Sequence, residues 1–302
     1  MPSRLSRRAF LAAGASAAVV AACSSDKGAT PTTTIPSFGP TTPTTAPTLE
    51  SLVLITFSDS SALVPGSPQR VTFGLADKDG VILTTPPTST LNFTVSIDGQ
   101  PVGAPIASTA HQQGLPRPYF PLDFTPPKAG VYDVTATTGS ASYVAHVQIP
   151  ATTQVVGPGQ KMIPVDTPTV ADPHGVQLVC TRTPACPLHD ITLREALAAG
   201  TPVAFLIGTP KFCQTAICGP VLDVLLQQKD QFPQIKMLHC EVYPSDADAQ
   251  PGQQKVTEAV STYGLTFEPV LYLVGRDGTI TRRIDTIFDA VELHDALTQL
   301  SG

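Results

Sequence analysis

At 302 residues the chain is long enough for two domains of ordinary size, and only 14% of it is charged. Eighteen Lys and Arg stand against 24 Asp and Glu, a net charge of −6 with no basic stripe, which argues against a nucleic-acid partner. The 31 prolines are concentrated with threonine early in the chain, so the overall composition hides a linker.

Residues 1–23 open with Arg4, Arg7 and Arg8, continue as a short Ala/Val-rich segment and end in small residues before Cys23. This is the pattern of an export signal, too short to remain as a spanning helix. Ser6-Arg7-Arg8-Ala9-Phe10-Leu11 resembles a twin-arginine signal, and Val20-Ala21-Ala22-Cys23 resembles a lipobox. The two resemblances imply a bacterial lipoprotein, lipidated at Cys23 and anchored on the extracytoplasmic face of the cell membrane. Residues 24–48 are Pro/Thr-rich, have almost nothing to bury, and are expected to be a disordered spacer.

From residue 49 to about 150, short β-branched segments alternate with turn signals. Strands are expected at Leu52–Phe57, Gln69–Ala76, Asn92–Ile97, Tyr119–Phe124, Gly130–Thr137 and Ser142–Gln148. Pro65-Gly66, Asp79-Gly80, Pro86-Pro87, Asp98-Gly99 and Pro126-Pro127 break them. Regular short strands with no convincing helix predict an all-β sandwich. Pro127 to Val134 resembles the late strand of immunoglobulin-like bacterial surface modules. No cysteine lies in this domain, His111 and His146 are isolated, and the expected role is a spacer or interaction module.

Residues 151–170 read as a Pro/Gly-broken connector, and from 171 to 302 strands alternate with helices. Strands are expected at Val176–Val179, Val203–Ile207, Ile235–Val242, Val270–Val274 and Thr279–Ile284. Helices are expected at Ile191–Ala199, Pro220–Lys229, Gln253–Tyr263 and Asp289–Leu300. Thr192 with Glu195, and Asp289 with Glu292, have capping-box spacing. The prediction is a small α/β domain with a mixed sheet.

Cys213 and Cys218 fall between the strand ending at Ile207 and the helix opening near Gly219-Pro220. A thiol at a helix N-terminus faces unpaired N–H groups, which favour thiolate. On a continuous helix the five-residue step turns about 500°, leaving the side chains about 140° apart. The two sulfurs can therefore meet only if the intervening loop is non-helical.

A cysteine pair between strand and helix, followed by Phe267-Glu268-Pro269-Val270 and the Arg276-Asp277-Gly278 hairpin, resembles the thioredoxin superfamily over about 130 residues. The resemblance implies a cis peptide bond before Pro269, with that proline against the active-site sulfurs, and thiol–disulfide exchange through Cys213 and Cys218. The family spacing is C-x2-C and here it is C-x4-C, so either cysteine can be the attacking one. In one alignment Phe212-Cys213 takes the family's aromatic-Cys position; in the other Cys218-Gly219-Pro220 matches C-G-P.

Cys180 and Cys186 flank a Pro-containing loop, and in an exported protein such a pair is expected to form a structural disulfide, a relay to the second pair being the alternative. Cys240, in an apolar strand, reads as a buried inert thiol. His174, His189, His239 and His294 read as surface or strand histidines, so no metal ligands and no cofactor are expected. The leading functional reading is a thiol–disulfide oxidoreductase acting on exported proteins or a redox partner. Two alternatives stand beside it: a non-catalytic surface module with disulfide staples, and a copper-handling protein, since Cys218-Gly219-Pro220 lies near the copper carriers' C-x3-C-P.

Overall fold

Alternation of apolar and polar residues organises the first half of the chain. In a computed structural model, which describes residues 48–252 and 254–302, strands run β1 Val53–Thr56, β2 Gln69–Ala76, β3 Thr90–Ile97, β4 Gln100–Pro101, β5 Ile106–Thr109, β6 Phe120–Phe124, β7 Gly130–Thr138 and β8 Ala141–Ile149. The export signal, Cys23 and nearly all of the Pro/Thr segment lie outside the described residues. Along β8 every second residue, from Ala141 to Ile149, points inward and the rest face solvent, the period of a one-side-buried strand. One sheet has the order β1-β2-β6; the other has β4-β3-β7-β8, with β5 also paired to β3. Phe73, Leu75, Phe120 and Leu122 from the first sheet share a core with Phe93, Val95, Tyr132 and Val134 from the second, so the two sheets form a β-sandwich. All six expected strands form; β4 and β5 are additional and short.

The second half continues with α1 Leu193–Ala198, β9 Val203–Ile207, α2 Cys218–Gln228, β10 Lys236–Cys240, α3 Glu258–Thr262, β11 Val270–Val274, β12 Ile280–Asp285 and α4 Ala290–Ser301. Its sheet has the order β10-β9-β11-β12, with β10 parallel to β9 and the other neighbours antiparallel. Every residue of β9 and β11 is buried, as central strands covered on both faces require. Ala204, Leu206, Leu271 and Leu273 face α2 and α4. Val203, Phe205, Val270 and Tyr272 face α1 and α3 on the other side. The capping box at Thr192 and Glu195 is complete, and the Asp289 side chain accepts the Glu292 N–H at the start of α4.

Two expectations need correction. Val176–Val179 is not a strand: Gln177 and Leu178 donate to the Pro244 carbonyl instead of joining the sheet. The helix expected from Gln253 begins only at Glu258, because Thr257 is its extended N-cap; Gln253 itself lies outside the described residues. The connector packs into the fold. Val155, Met162 and Val165 are buried in the core beside α3, and residues 156–162 exchange backbone hydrogen bonds with Tyr263, Gly278 and Ile280. The sandwich also enters the α/β core, where Leu115 and Tyr119 pack with residues of α2 and α4.

Candidate functional site

The loop from Gly208 to Ile217 joins β9 to α2, and its conformation decides whether the two cysteines can meet. It is non-helical, with Ala216 at φ +55°, and α2 begins at Cys218. This brings Cys213 and Cys218 together as a disulfide with 6.0 Å between their Cα atoms. The two sulfurs differ in environment. Cys218 is buried, whereas Cys213 is half-buried. The Cys218 N–H, in the first turn of α2, donates to Cys213 Sγ at 3.3 Å, and Thr215 Oγ1 lies 3.3 Å from the same sulfur. An N–H at a helix N-terminus stabilises negative charge on a sulfur it faces.

Cys213 opens onto a cavity of about 500 Å3, lined on its apolar side by Phe212, Tyr243, Val256 and Phe267. The Glu268–Pro269 peptide bond is cis. Gly208 lies between this proline and the disulfide: a Cβ there would stand 3.1 Å from Pro269 Cβ and 3.6 Å from Cys218 Cβ. Pro269 and Cys218 therefore flank the same backbone segment, at Gly208.

Glu268 went unremarked in the sequence. Its Oε2 accepts the Thr209 N–H at 2.6 Å and lies 3.4 Å from Cys218 Sγ. Burial, reinforced by the nearby charge of Glu241, pushes its carboxyl up to about 7. The signal was there to be read: a carboxylate opening the otherwise apolar run Val270–Val274 is costly to bury without a task.

The other thiols are arranged differently from expectation. Cys180 and Cys186 are not joined; their sulfurs are 3.7 Å apart. His189 and His239, read as ordinary histidines, close around them. All four donor atoms lie within 4.8 Å of one another, and Cys186, His189 and His239 are buried. The local sequence signal is Cys186-Pro187-Leu188-His189, a C-x2-H spacing; His239 comes from a strand fifty residues on and could not be paired with it by spacing. Cys240 is buried, and burial pushes its thiol up to about 12, consistent with an inert role. His111 pairs with Asp289, His146 with Asp133, and His174 lies near Asp172. His294 contacts Gln228.

No protein-family model matches the chain, and no curated protein matches it. Among solved structures, it is similar to the Lin-41 filamin domain at 17% identity and a TM-score of 0.24, over 35% of this chain and 98% of that one. It is also similar to a mutant of Salmonella alpha-2-macroglobulin at 20% identity and a TM-score of 0.25, over 40% of this chain and 8% of that one. Among the described residues, no helix is long and apolar enough to cross a membrane.

Proposed function

We propose that this chain is a thioredoxin-like thiol–disulfide oxidoreductase, tethered through Cys23 to the extracytoplasmic face of a bacterial membrane and exchanging disulfides with exported proteins or a redox partner. One observation carries the reading. The half-buried Cys213 sulfur opens to a cavity, while its buried partner Cys218 sits at a helix start beside a carboxyl poised near neutrality. That is a division of labour between an attacking and a resolving thiol.

In the reduced protein, the Cys213 thiolate attacks a substrate disulfide and one substrate sulfur leaves as thiolate. Cys218 then gives its proton to the Glu268 carboxylate and attacks Cys213 Sγ. The second substrate sulfur departs as thiolate, one proton returned by Glu268 and one from water make the substrate a dithiol, and Cys213–Cys218 is oxidised. The reverse sequence oxidises a dithiol. Apolar side chains around Cys213 suit an extended or unfolded peptide, and the Phe212 ring, with Lys211 Nζ 5.0 Å from its centroid, forms one wall. For the copper-handling alternative, the groups among the described residues that could ligate at this pair are Cys213, Cys218 and Glu268.

The test is glutathione titration of the full chain with thiol-mass readout of the pair. A potential between about −120 and −270 mV supports exchange chemistry; a value below about −300 mV marks a staple and sinks the proposal. In the same assay Cys218→Ser should accumulate a mixed disulfide on Cys213, and Cys213→Ser should not.

A further inference from the structure

We propose that Cys180, Cys186, His189 and His239 form a closed tetrahedral site for a zinc ion, which fixes the irregular loop 180–189 against β10 and beneath the redox loop. This inference stands on its own residues and does not depend on the exchange chemistry of Cys213 and Cys218.

The spacing of the four donors carries it. Zinc held by two sulfurs at about 2.3 Å and two nitrogens at about 2.0–2.1 Å in a tetrahedron requires edges of about 3.8 Å between sulfurs, about 3.5 Å from sulfur to nitrogen and about 3.3 Å between nitrogens. The sulfurs of Cys180 and Cys186 are 3.7 Å apart, and His189 Nε2 lies 3.2 Å from His239 Nδ1. Cys186 Sγ lies 3.2 Å from His189 Nε2 and 3.6 Å from His239 Nδ1, and Cys180 Sγ lies 4.0 Å from His239 Nδ1. A disulfide would need about 2.05 Å between the sulfurs, far less than is present.

The tautomer agrees. His239 Nε2 is 2.8 Å from the Gly208 carbonyl oxygen, which can only accept, so the hydrogen is on Nε2 and Nδ1 presents a bare lone pair to the cluster. A ligating histidine whose second nitrogen is oriented by a backbone carbonyl is the usual outer-shell arrangement. Hydrogen bonding alone is a poor account of the group, because thiols are weak donors. Two thiols release their protons on binding, and the two thiolates neutralise the divalent charge, so the buried site is neutral.

Two thiolates and two imidazoles in a tetrahedron suit zinc and disfavour calcium or magnesium. With all four positions filled by protein, no coordination site is left for substrate, so the role is structural. The site lies one residue from the chemistry. Gly208, whose carbonyl holds His239, is packed between Pro269 and Cys218. Thr181, next to Cys180, donates to Glu241 and accepts the Lys211 N–H of the redox loop.

The test uses the full chain. Elemental analysis of the isolated protein should find about one equivalent of zinc. Replacement by cobalt should give the intense visible bands of a tetrahedral centre with thiolate charge transfer. Cys186→Ser and His239→Gln should each lower zinc affinity by at least about tenfold, while Cys213→Ser should retain the ion, excluding the other cysteine pair as its holder. The cobalt spectrum of the unaltered protein decides the matter even if these variants fold poorly. A weak octahedral spectrum, copper in place of zinc, no bound metal, or a Cys180–Cys186 disulfide in the isolated protein would each overturn the proposal.

Discussion

Glu268 concentrates a conflict between folding and chemistry in one carboxyl. Because burial raises its folded value to about 7 from an ordinary value of 4.5, the folded state holds its proton more tightly than the unfolded state does. Its ionisation therefore leaves stability untouched below about pH 4.5 and lowers it as pH rises toward about 7, by on the order of 3 kcal/mol once fully charged. The same poise suits it to take the Cys218 proton. Glu268→Gln should therefore be more stable than the parent at pH 8 and little changed at pH 4.5, by urea denaturation. Resolution of the Cys213 mixed disulfide should slow by roughly 10²-fold or more at neutral pH and lose its inflection near pH 7. Equal stability of the two proteins at pH 8 would show that the carboxyl is solvated and cannot act as described.

At the scale of elements, the chain's own patterns reached furthest where a local rule governs. The matched bounds of β9 and β11 follow from apolar runs, those of β2 from the turn signals on either side, and both N-caps from a short oxygen-bearing side chain three residues before a glutamate. Segments held by tertiary contacts escaped such reading. The connector looks like a linker by composition, yet its backbone is fastened to β12 and the turn after α3. The cluster of Cys180, Cys186, His189 and His239 escaped for the same reason, since the loop carrying Cys186 meets β10 only in the fold, where the His239 N–H donates to the Leu188 carbonyl. Gly264 shows how closely the connector is seated. Its φ is +64°, and a Cβ there would run into the carbonyl oxygen of Gln154. Gly264→Ala should therefore cost roughly 2–4 kcal/mol, through left-handed backbone and overpacking together. Equilibrium denaturation should register that loss, whereas Gly252→Ala, where a side chain meets open space, should lose only the backbone part.

For the molecule as a whole, a buried ionic network joins the sandwich to the α/β sheet. Arg70 of β2 grips Glu292 of α4 with two hydrogen bonds, at 2.6 and 2.7 Å, and donates to the Asp285 and Ile287 carbonyls. Tyr119 donates to Glu292 and accepts the Asp289 N–H, while Asp289 holds His111 and the Gln112 and Gln113 amides. Burial opposes the charge of Glu292, but Arg70 and Tyr119 outweigh it and lower its pKa; at Asp289 burial is likewise outweighed, by His111 and backbone N–H groups. The stability these carboxylates contribute is thus present above about pH 4.5 and lost as pH falls through their lower folded values. The Asp289 hydrogen bond raises the His111 pKa against burial, so its contribution is full below about pH 6.5 and fades as pH rises through the folded value. The junction is therefore strongest in the mildly acidic range between those limits. Glu292→Ala leaves Arg70 charged, buried and unpaired, and should cost roughly 3–5 kcal/mol. Replacing both partners, as Arg70→Met with Glu292→Leu, should restore most of that loss, because desolvation of the two ions is removed along with their attraction. Thermal unfolding across pH separates these effects. The double variant should lose less stability than the parent on acidification, and Glu292→Ala should unfold the sandwich ahead of the α/β half. A single variant no less stable than the double one would mean that water reaches Arg70, and that the two halves are held by Leu115 and its apolar neighbours instead.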